Sequence, residues 1–246
     1  GKYMLPYIEA LSNAEQNIYK QASKLKGIES GRIVLGTFSS VSCHILMPII
    51  KAFKDAYPNI NIEIREGDNL AIESWLATGS IDFGFIDSPT LPGFETIHVC
   101  RDPFVAVMSE EGVYANRDDI PVEIFEETPM IIVDEGSPKE AGGILRQLNI
   151  TPNIVHSSKD NSLILSMIEN RLCLGYMGKL VLTKTPYKII SKPTVPQFYR
   201  DIVLTIKDRN AASVATQKFL EFFEENLESV LAEIGYADAK SEEEEN

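Results

Sequence analysis

The sequence lacks every short signature that marks a common enzyme. It contains no G-x-G-x-x-G, no Walker loop, no G-x-S-x-G elbow and no H-E-x-x-H. Histidine is scarce: His44, His98 and His156 lie far apart with no metal-like spacing. Cys43, Cys100 and Cys173 are odd in number and form no C-x-x-C pair, so they read as reduced cytosolic thiols rather than a disulfide framework or a metal site. A redox sensor would need an exposed thiol of low pKa beside a partner, which the sequence does not show. No run of about 18 apolar residues occurs, so no transmembrane helix is expected. The first residues lack the apolar core and cleavage site of a secretion signal. The chain opens on Gly1 rather than Met, so a preceding segment is expected. These absences predict a cytoplasmic protein that is not an enzyme and holds no metal or cofactor.

Basic residues are also in short supply. Lys and Arg number 23 against 36 Asp and Glu, a formal charge of -13. Four of those charges belong to Glu242–Glu245, in a terminal stretch that reads as a solvated disordered tail over 236–246; the remainder still carries -9. Such a chain is repelled by nucleic acid phosphates and is not expected to grip DNA itself.

Hydrophobic residues make up 44% of the 246, enough for one large or two modest domains. From Met4, apolar residues at Ile8, Leu11, Ile18, Ala22 and Leu25 follow spacings of four and three, with Glu15 in the one polar slot. This heptad seam over 3–27 predicts a helix that pairs with another helix. Arg32 to Thr37 then reads as a buried strand. The next helix turns Ile45, Leu46, Ile49, Phe53 and Tyr57 inward and stops at Pro58. Ile60–Ile64 and Ile81–Ile86 read as strands around a helix from Leu70 to Thr78, capped by Asp68 or Asn69 and stopped by Gly79. Two strand–helix–strand units in succession predict a parallel α/β sheet. Beyond Gly93, strands are expected at 98–100, 104–108, 130–133, 154–156, 173–177 and 202–206. Arg101-Asp102-Pro103 reads as a break between the first two, and 110–127 as irregular. Helices are expected at 138–148, 160–170 and after 213, the second with Leu163, Ile164, Met167 and Ile168 inward. This second set of α/β units with a returning strand predicts two lobes: about 31–100 with 203–235, and about 101–202.

Ser39, Ser40 and Ser42 stand between the first strand and its helix. Hydroxyls, free backbone N–H groups and the positive end of the helix dipole suit a carboxylate, phosphate or sulfate without any lysine. Plain helix capping by Ser40 or Ser42 is the simpler alternative. His44 follows in the first turns of that helix and has the best claim among the histidines to touch a ligand. Asp87 closes a strand where open α/β sheets bind ligands. Asp82, at the other end of that strand about 16 Å away, cannot share a substrate atom with it. Gly136 and Ser137, before the helix at Pro138, repeat the serine arrangement, and Asn161 after Asp160 is a third, weaker instance.

Taken together, Gly31–Gly36, Leu46-Met47-Pro48, Phe53 with Tyr57-Pro58, Glu66-Gly67 and Gly79–Asp82 resemble the effector-binding domain of LysR-type transcriptional regulators. Ile168–Met177 resembles a later helix–strand segment of that family, which usually has a glycine where Arg171 or Leu172 stands. Residues 3–26 resemble its linker helix. The resemblance implies a fold like the type 2 periplasmic binding proteins: two Rossmann-like α/β lobes, preceded by a linker helix, with a small effector between them. It implies that Ser39 and Ser40 touch the effector and that Asp68 and Asn69 contribute. It also implies a homodimer or homotetramer that meets DNA only through an N-terminal domain absent from this chain. A free-standing solute-binding protein of a transporter is the alternative. The seam helix carries one prediction: the purified chain sediments as a dimer at micromolar concentration, and a monomer there counts against the seam.

Overall fold

The strand β1 (Gly31–Thr37) is buried over its last five residues because it lies in the middle of a sheet. A computed structural model describes residues 31–90, 92–133 and 141–236, together with Met4 and Tyr7. The seam helix, Gly136, Ser137 and Glu242–Glu245 lie outside the described residues. Tyr236, assigned to the tail by its position, is instead buried, and its N–H donates to the Leu231 carbonyl at 2.9 Å. The chain forms two compact units: one comprises residues up to Cys100 and from Ile202 on, the other Arg101–Asp201.

In the first unit, β1 pairs in parallel with β2 (Ile60–Glu66), from Gly31 opposite Ile60 to Thr37 opposite Glu66. Its other edge pairs in parallel with β3 (Phe83–Asp87). The helix α1 (Met47–Ala56) follows β1, and α2 (Asn69–Thr78) follows β2. β3 shows why both faces of the sheet are covered. Alternate residues of a strand point to opposite faces. Phe83 stacks on Phe219 and Phe85 meets Phe223, both on the long helix Val214–Glu233. Ile86 packs instead with Ile72 and Leu76 of α2. Gly84 permits that approach, since a Cβ there would come within 2.6 Å of Ile72. Phe53 of α1 meets Phe219 and Phe222 edge-on, at centroid distances of 5.0 and 5.4 Å.

The second unit begins inside a strand. β4 runs unbroken from Glu95 to Ser109, where the polar triplet Arg101-Asp102-Pro103 had predicted an interruption. Asp102 remains in the strand because its carboxylate is held on both oxygens: Arg200 donates to one and the Leu180 N–H to the other. The irregular stretch holds two short elements, β5 (Ile120–Pro121) and α3 (Ile124–Glu127), with Ile120, Val122 and Phe125 buried. β6 (Met130–Val133) is flanked in parallel by β7 (Ile154–Ser158) and by β8 (Leu174–Gly178). β8 runs antiparallel to β4, with Phe104 opposite Gly178. β9 (Ile189–Val195), which its Lys192-Pro193 pair concealed in the sequence, pairs with the other edge of β4. β10 (Tyr199–Ile206) returns to the first unit and pairs antiparallel with β3.

The helices α4 (Ala141–Gln147) and α5 (Asn161–Glu169) serve separate cores. Ala141, Ile144 and Leu145 pack with Met130 and Ile132; Ile164, Leu165 and Ile168 pack with Val105, Val107 and Ile131. Leu165 thus takes the inward place expected of Leu163, which is 51% exposed. The chain closes with the helix α6 (Val214–Glu233), capped by Ser213 through the Thr216 N–H.

The turn after α5 explains the missing glycine. Arg171 has φ 61°, the left-handed conformation that glycine adopts without strain. Its N–H closes on the Ile168 carbonyl at 2.9 Å and the Leu172 N–H on Met167 at 3.1 Å, as at a helix C-terminus. The exposed side chain pairs with Glu111 at 3.2 Å, a contact of small worth. Arg171→Gly is expected to stabilise the chain by about 0.5–1 kcal/mol. In a thermal melt this raises Tm by about 1–4 °C.

Candidate functional site

Because β1, β2 and β3 are mutually parallel, their carboxyl ends share one edge of the first unit. At the end of β1, Phe38 occupies the position before the helix in extended conformation, φ -114° and ψ 160°, with no side-chain cap. Ser39–Val41 then form one helical turn, Ser42–Leu46 a π-helical segment, and α1 follows. π-helical segments recur at functional sites, because the wider turn displaces side chains and backbone groups from ordinary helical register. The cap expected of Ser40 or Ser42 is not formed. Ser42 instead donates its hydroxyl to the Phe38 carbonyl at 3.2 Å and contacts the Thr37 hydroxyl at 3.3 Å. Ser40 is buried and Ser39 half-buried on this turn.

The end of β2 is fastened beside it, since the Gly67 N–H donates to the Thr37 carbonyl at 3.1 Å. Asp68 rather than Asn69 caps α2, accepting the Ala71 N–H at 2.8 Å. Asn69 turns toward β3. Its side-chain amide donates to the Asp87 carboxylate at 3.0 Å, and its carbonyl oxygen accepts the Asp87 N–H at 2.9 Å. Both residues are buried. The structure therefore brings Asn69 and Asp87 into direct contact and sets Ser39, Ser40 and Asp68 on the same edge. Asp82 braces the other end: its carboxylate accepts the Val34 N–H at 2.8 Å.

In the second unit, Asn161 opens α5 after the carboxyl end of β7. Asp160 caps that helix through the Ser162 N–H at 2.8 Å. The sequence reading missed Arg101, Asp102, Arg200 and Asp201. The Arg-Asp dipeptide recurs at 101–102, 117–118 and 200–201, so the sequence alone does not single out the first and last as partners.

Burial pushes the Cys173 thiol up to about 11, which suppresses its thiolate; Cys100 is buried and Cys43 exposed. Among the described residues, no group of three His, Cys, Asp or Glu side chains could hold a metal ion, and no helix is long and apolar enough to cross a membrane.

Two α/β units joined by strands that pass from one to the other, with polar turns at the carboxyl ends of parallel strands, define a ligand-binding module of the type 2 periplasmic-binding-protein fold. The Synechocystis PCC6803 CcmR regulatory domain, solved in complex with 2-PG, superposes with a TM-score of 0.71 at 15% identity, covering 79% of this chain and 96% of that one. The effector-binding domain of QuiR, in complex with shikimate, gives 0.69 at 18% identity, covering 81% and 98%. In sequence, the uncharacterised HTH-type transcriptional regulator YvbU of Bacillus subtilis (strain 168) is 28% identical over 227 residues, which are 92% of this chain and 77% of that protein. Residues 26–228 match the LysR substrate binding domain, and the chain belongs to that family.

The Asn69–Asp87 contact carries a prediction. Asn69→Ala leaves the buried Asp87 without both bonds and is expected to cost about 1–3 kcal/mol of stability. Denaturant unfolding should show the midpoint falling with an unchanged slope.

Proposed function

We propose that this chain is the sensory part of a LysR-type regulator and that its effector is a small anion held at the carboxyl edge of the first unit's sheet. The hydroxyl-bearing turn Ser39-Ser40, placed at a helix start on that edge, carries the reading. Asp68 and Asn69 border the same place, and Asn69 with Asp87 keeps the loop after β2 against the end of β3. Asn161, Gly136 and Ser137 are the contributions proposed for the second unit. The two solved relatives named above were bound to 2-PG and to shikimate, which supports a small metabolite as the ligand class.

The family supports regulation over catalysis. Asp82 and Asp87, at opposite ends of one strand, are each engaged structurally, Asp82 on the β1 backbone and Asp87 on Asn69. It also supports a regulator over the receptor of a transporter. In this reading the protein works in the cytoplasm as a homodimer or homotetramer, and DNA is met by another domain. An effector acts by its differential affinity for two arrangements of the protein, so its binding shifts their populations.

Trp75 supplies the assay. It is the single tryptophan, and its ring covers Gly67, one residue from Asp68. Titration with a panel of metabolite carboxylates and phosphates that includes shikimate and 2-PG is expected to yield at least one compound that raises Tm and shifts Trp75 emission. Ser40→Ala should weaken that compound about tenfold, as loss of a hydrogen bond to a charged group would. Unchanged affinity in Ser40→Ala would remove the turn from the site.

A further inference from the structure

A polar pocket of about 180 Å³ lies within the second unit, between the end of β4, the turn after α5 and the residue before β9. β4 runs antiparallel to β8 with Val107 opposite Gly175, so Ser109 lies just beyond the first residue of β8. β6 and β7 are parallel to β8, and this is therefore the amino edge of the unit's parallel strands. Asn161, at the other end of α5, stands at the carboxyl edge. The pocket is thus a separate place from the edge to which Asn161 belongs.

Ser109 is the first sign of a ligand. Alternate residues of a strand share a face. Val105 and Val107 pack with Ile164, Leu165 and Ile168 of α5, so Ser109 points to the same side, where Glu169 and the turn through Arg171 close that helix. Ser109 is only 7% exposed and lines the pocket, and among the described residues its hydroxyl has no hydrogen-bond partner. Buried hydroxyls ordinarily find a partner, and here the space for one is the pocket.

The surrounding charge is the second. Three carboxylates, Glu110, Glu111 and Glu169, line the pocket with two cations, Arg171 and Lys188. Arg171 pairs with Glu111 at 3.2 Å. Glu169 accepts the Lys188 N–H at 2.8 Å through Oε1, which leaves its charge uncompensated and its other oxygen without a bond among the described residues. The Glu110 N–H donates to the Lys188 carbonyl at 3.3 Å and joins the two turns at the rim. The C-terminal end of α5 adds the negative pole of a helix dipole, where a cation is favoured.

From this geometry we infer that the pocket is a second ligand site, for a small primary ammonium ion, with Ser109 and Glu169 as its acceptors and Glu110 as a further counter-charge. An ammonium group carries one positive charge and three N–H donors. The pocket answers with a hydroxyl oxygen, a carboxylate oxygen and an excess of one carboxylate over its cations. A divalent metal does not fit: among the described residues, no three His, Cys, Asp or Glu side chains are grouped to hold one. An anion would meet the same excess of carboxylates. Lys188 is the competitor, since its own ammonium stands at the rim. The inference does not depend on the effector proposed for the first unit's edge.

The test uses the intact chain and two probes of equal charge, methylammonium and tetramethylammonium chloride, with sodium chloride holding the ionic strength. NMR follows the assigned backbone amide resonances of Ser109, Glu169 and Lys188. Methylammonium is expected to shift them saturably. Tetramethylammonium, which has the charge but no N–H, should bind about tenfold more weakly or not at all. Ser109→Ala removes one acceptor and should weaken methylammonium about threefold or more. Glu169→Gln keeps a carbonyl oxygen for the Lys188 N–H while removing the charge, and the same loss is expected. Should Glu169→Gln fail to fold, Glu110→Gln, on an exposed residue, takes its place with the same expectation. No saturable shift, equal shifts from the two probes, or unchanged affinity in Ser109→Ala overturns the assignment and leaves the pocket to the Lys188 side chain.

Discussion

A carboxylate with no exposure to water has to be satisfied completely, and Asp102 is such a carboxylate. Burying an ion costs several kcal/mol before any partner is found, and removing one partner of a buried pair costs about 3–5 kcal/mol. Asp102 meets that demand with three bonds from two different places in the chain, Arg200 on β10 and the Leu180 N–H after β8. The consequence is topological. β4 cannot break at its polar triplet, β10 must lie within reach of β4 at Arg200, and the residue ending β8 has to be glycine. Three strands of the second unit are thus fixed at one edge by one charge.

The first unit reaches its edge by a different route. Here parallel pairing does the aligning: Thr37, Glu66 and Asp87 end their strands on the same side because the registers of β1, β2 and β3 require it. A backbone hydrogen bond and two carboxylates, Asp68 and Asp87, then fasten the loops. Gly67 ties β2 to β1, Asp68 starts α2, and Asn69 ties α2 to β3. The result is a polar edge held by local hydrogen bonds, on which the Ser39-Ser40 turn presents hydroxyls at a helix start. Long-range register sets the place and short-range chemistry sets the composition.

Much of this was legible in the sequence. The α/β pattern of the first hundred residues was strong because each helix had a stop, Pro58 or Gly79, and each strand an apolar run. Asp68, Asp87 and Asp160 could be placed because caps and strand ends leave local marks. What could not be read was set by partners distant in the chain. Arg101-Asp102-Pro103 looks like a turn to any local rule, and the partners that hold it extended, the Leu180 N–H and Arg200, lie 78 and 98 residues away. β9 was hidden by Lys192-Pro193; Pro193 stands opposite Val105 of β4, just before Thr194 and Val195 pair with β5. Leu163 and Leu165 could not be told apart, since both lie on an apolar stretch and only the packing of α5 chooses. The bonds of the Asn69 amide to Asp87 could not be read either. Its identity was visible but its direction was not.

The net charge bears on the proposal of an anionic effector. Charges on an exposed surface are screened within about 8–10 Å at ordinary ionic strength, so a formal charge of -13 says little about one sheltered edge. What matters there is the sign of the nearest groups. At the first unit's edge these are the hydroxyls of Ser39 and Ser40 at the start of a helical run, together with the Asp68 carboxylate that caps α2 and the buried Asp87 carboxylate that accepts from Asn69. In the second unit the charge of Arg200 is offset by Asp102, which also fixes its position. At longer range an acidic exterior repels polyanions such as nucleic acids as a whole. That repulsion agrees with the proposal that DNA is met by another domain.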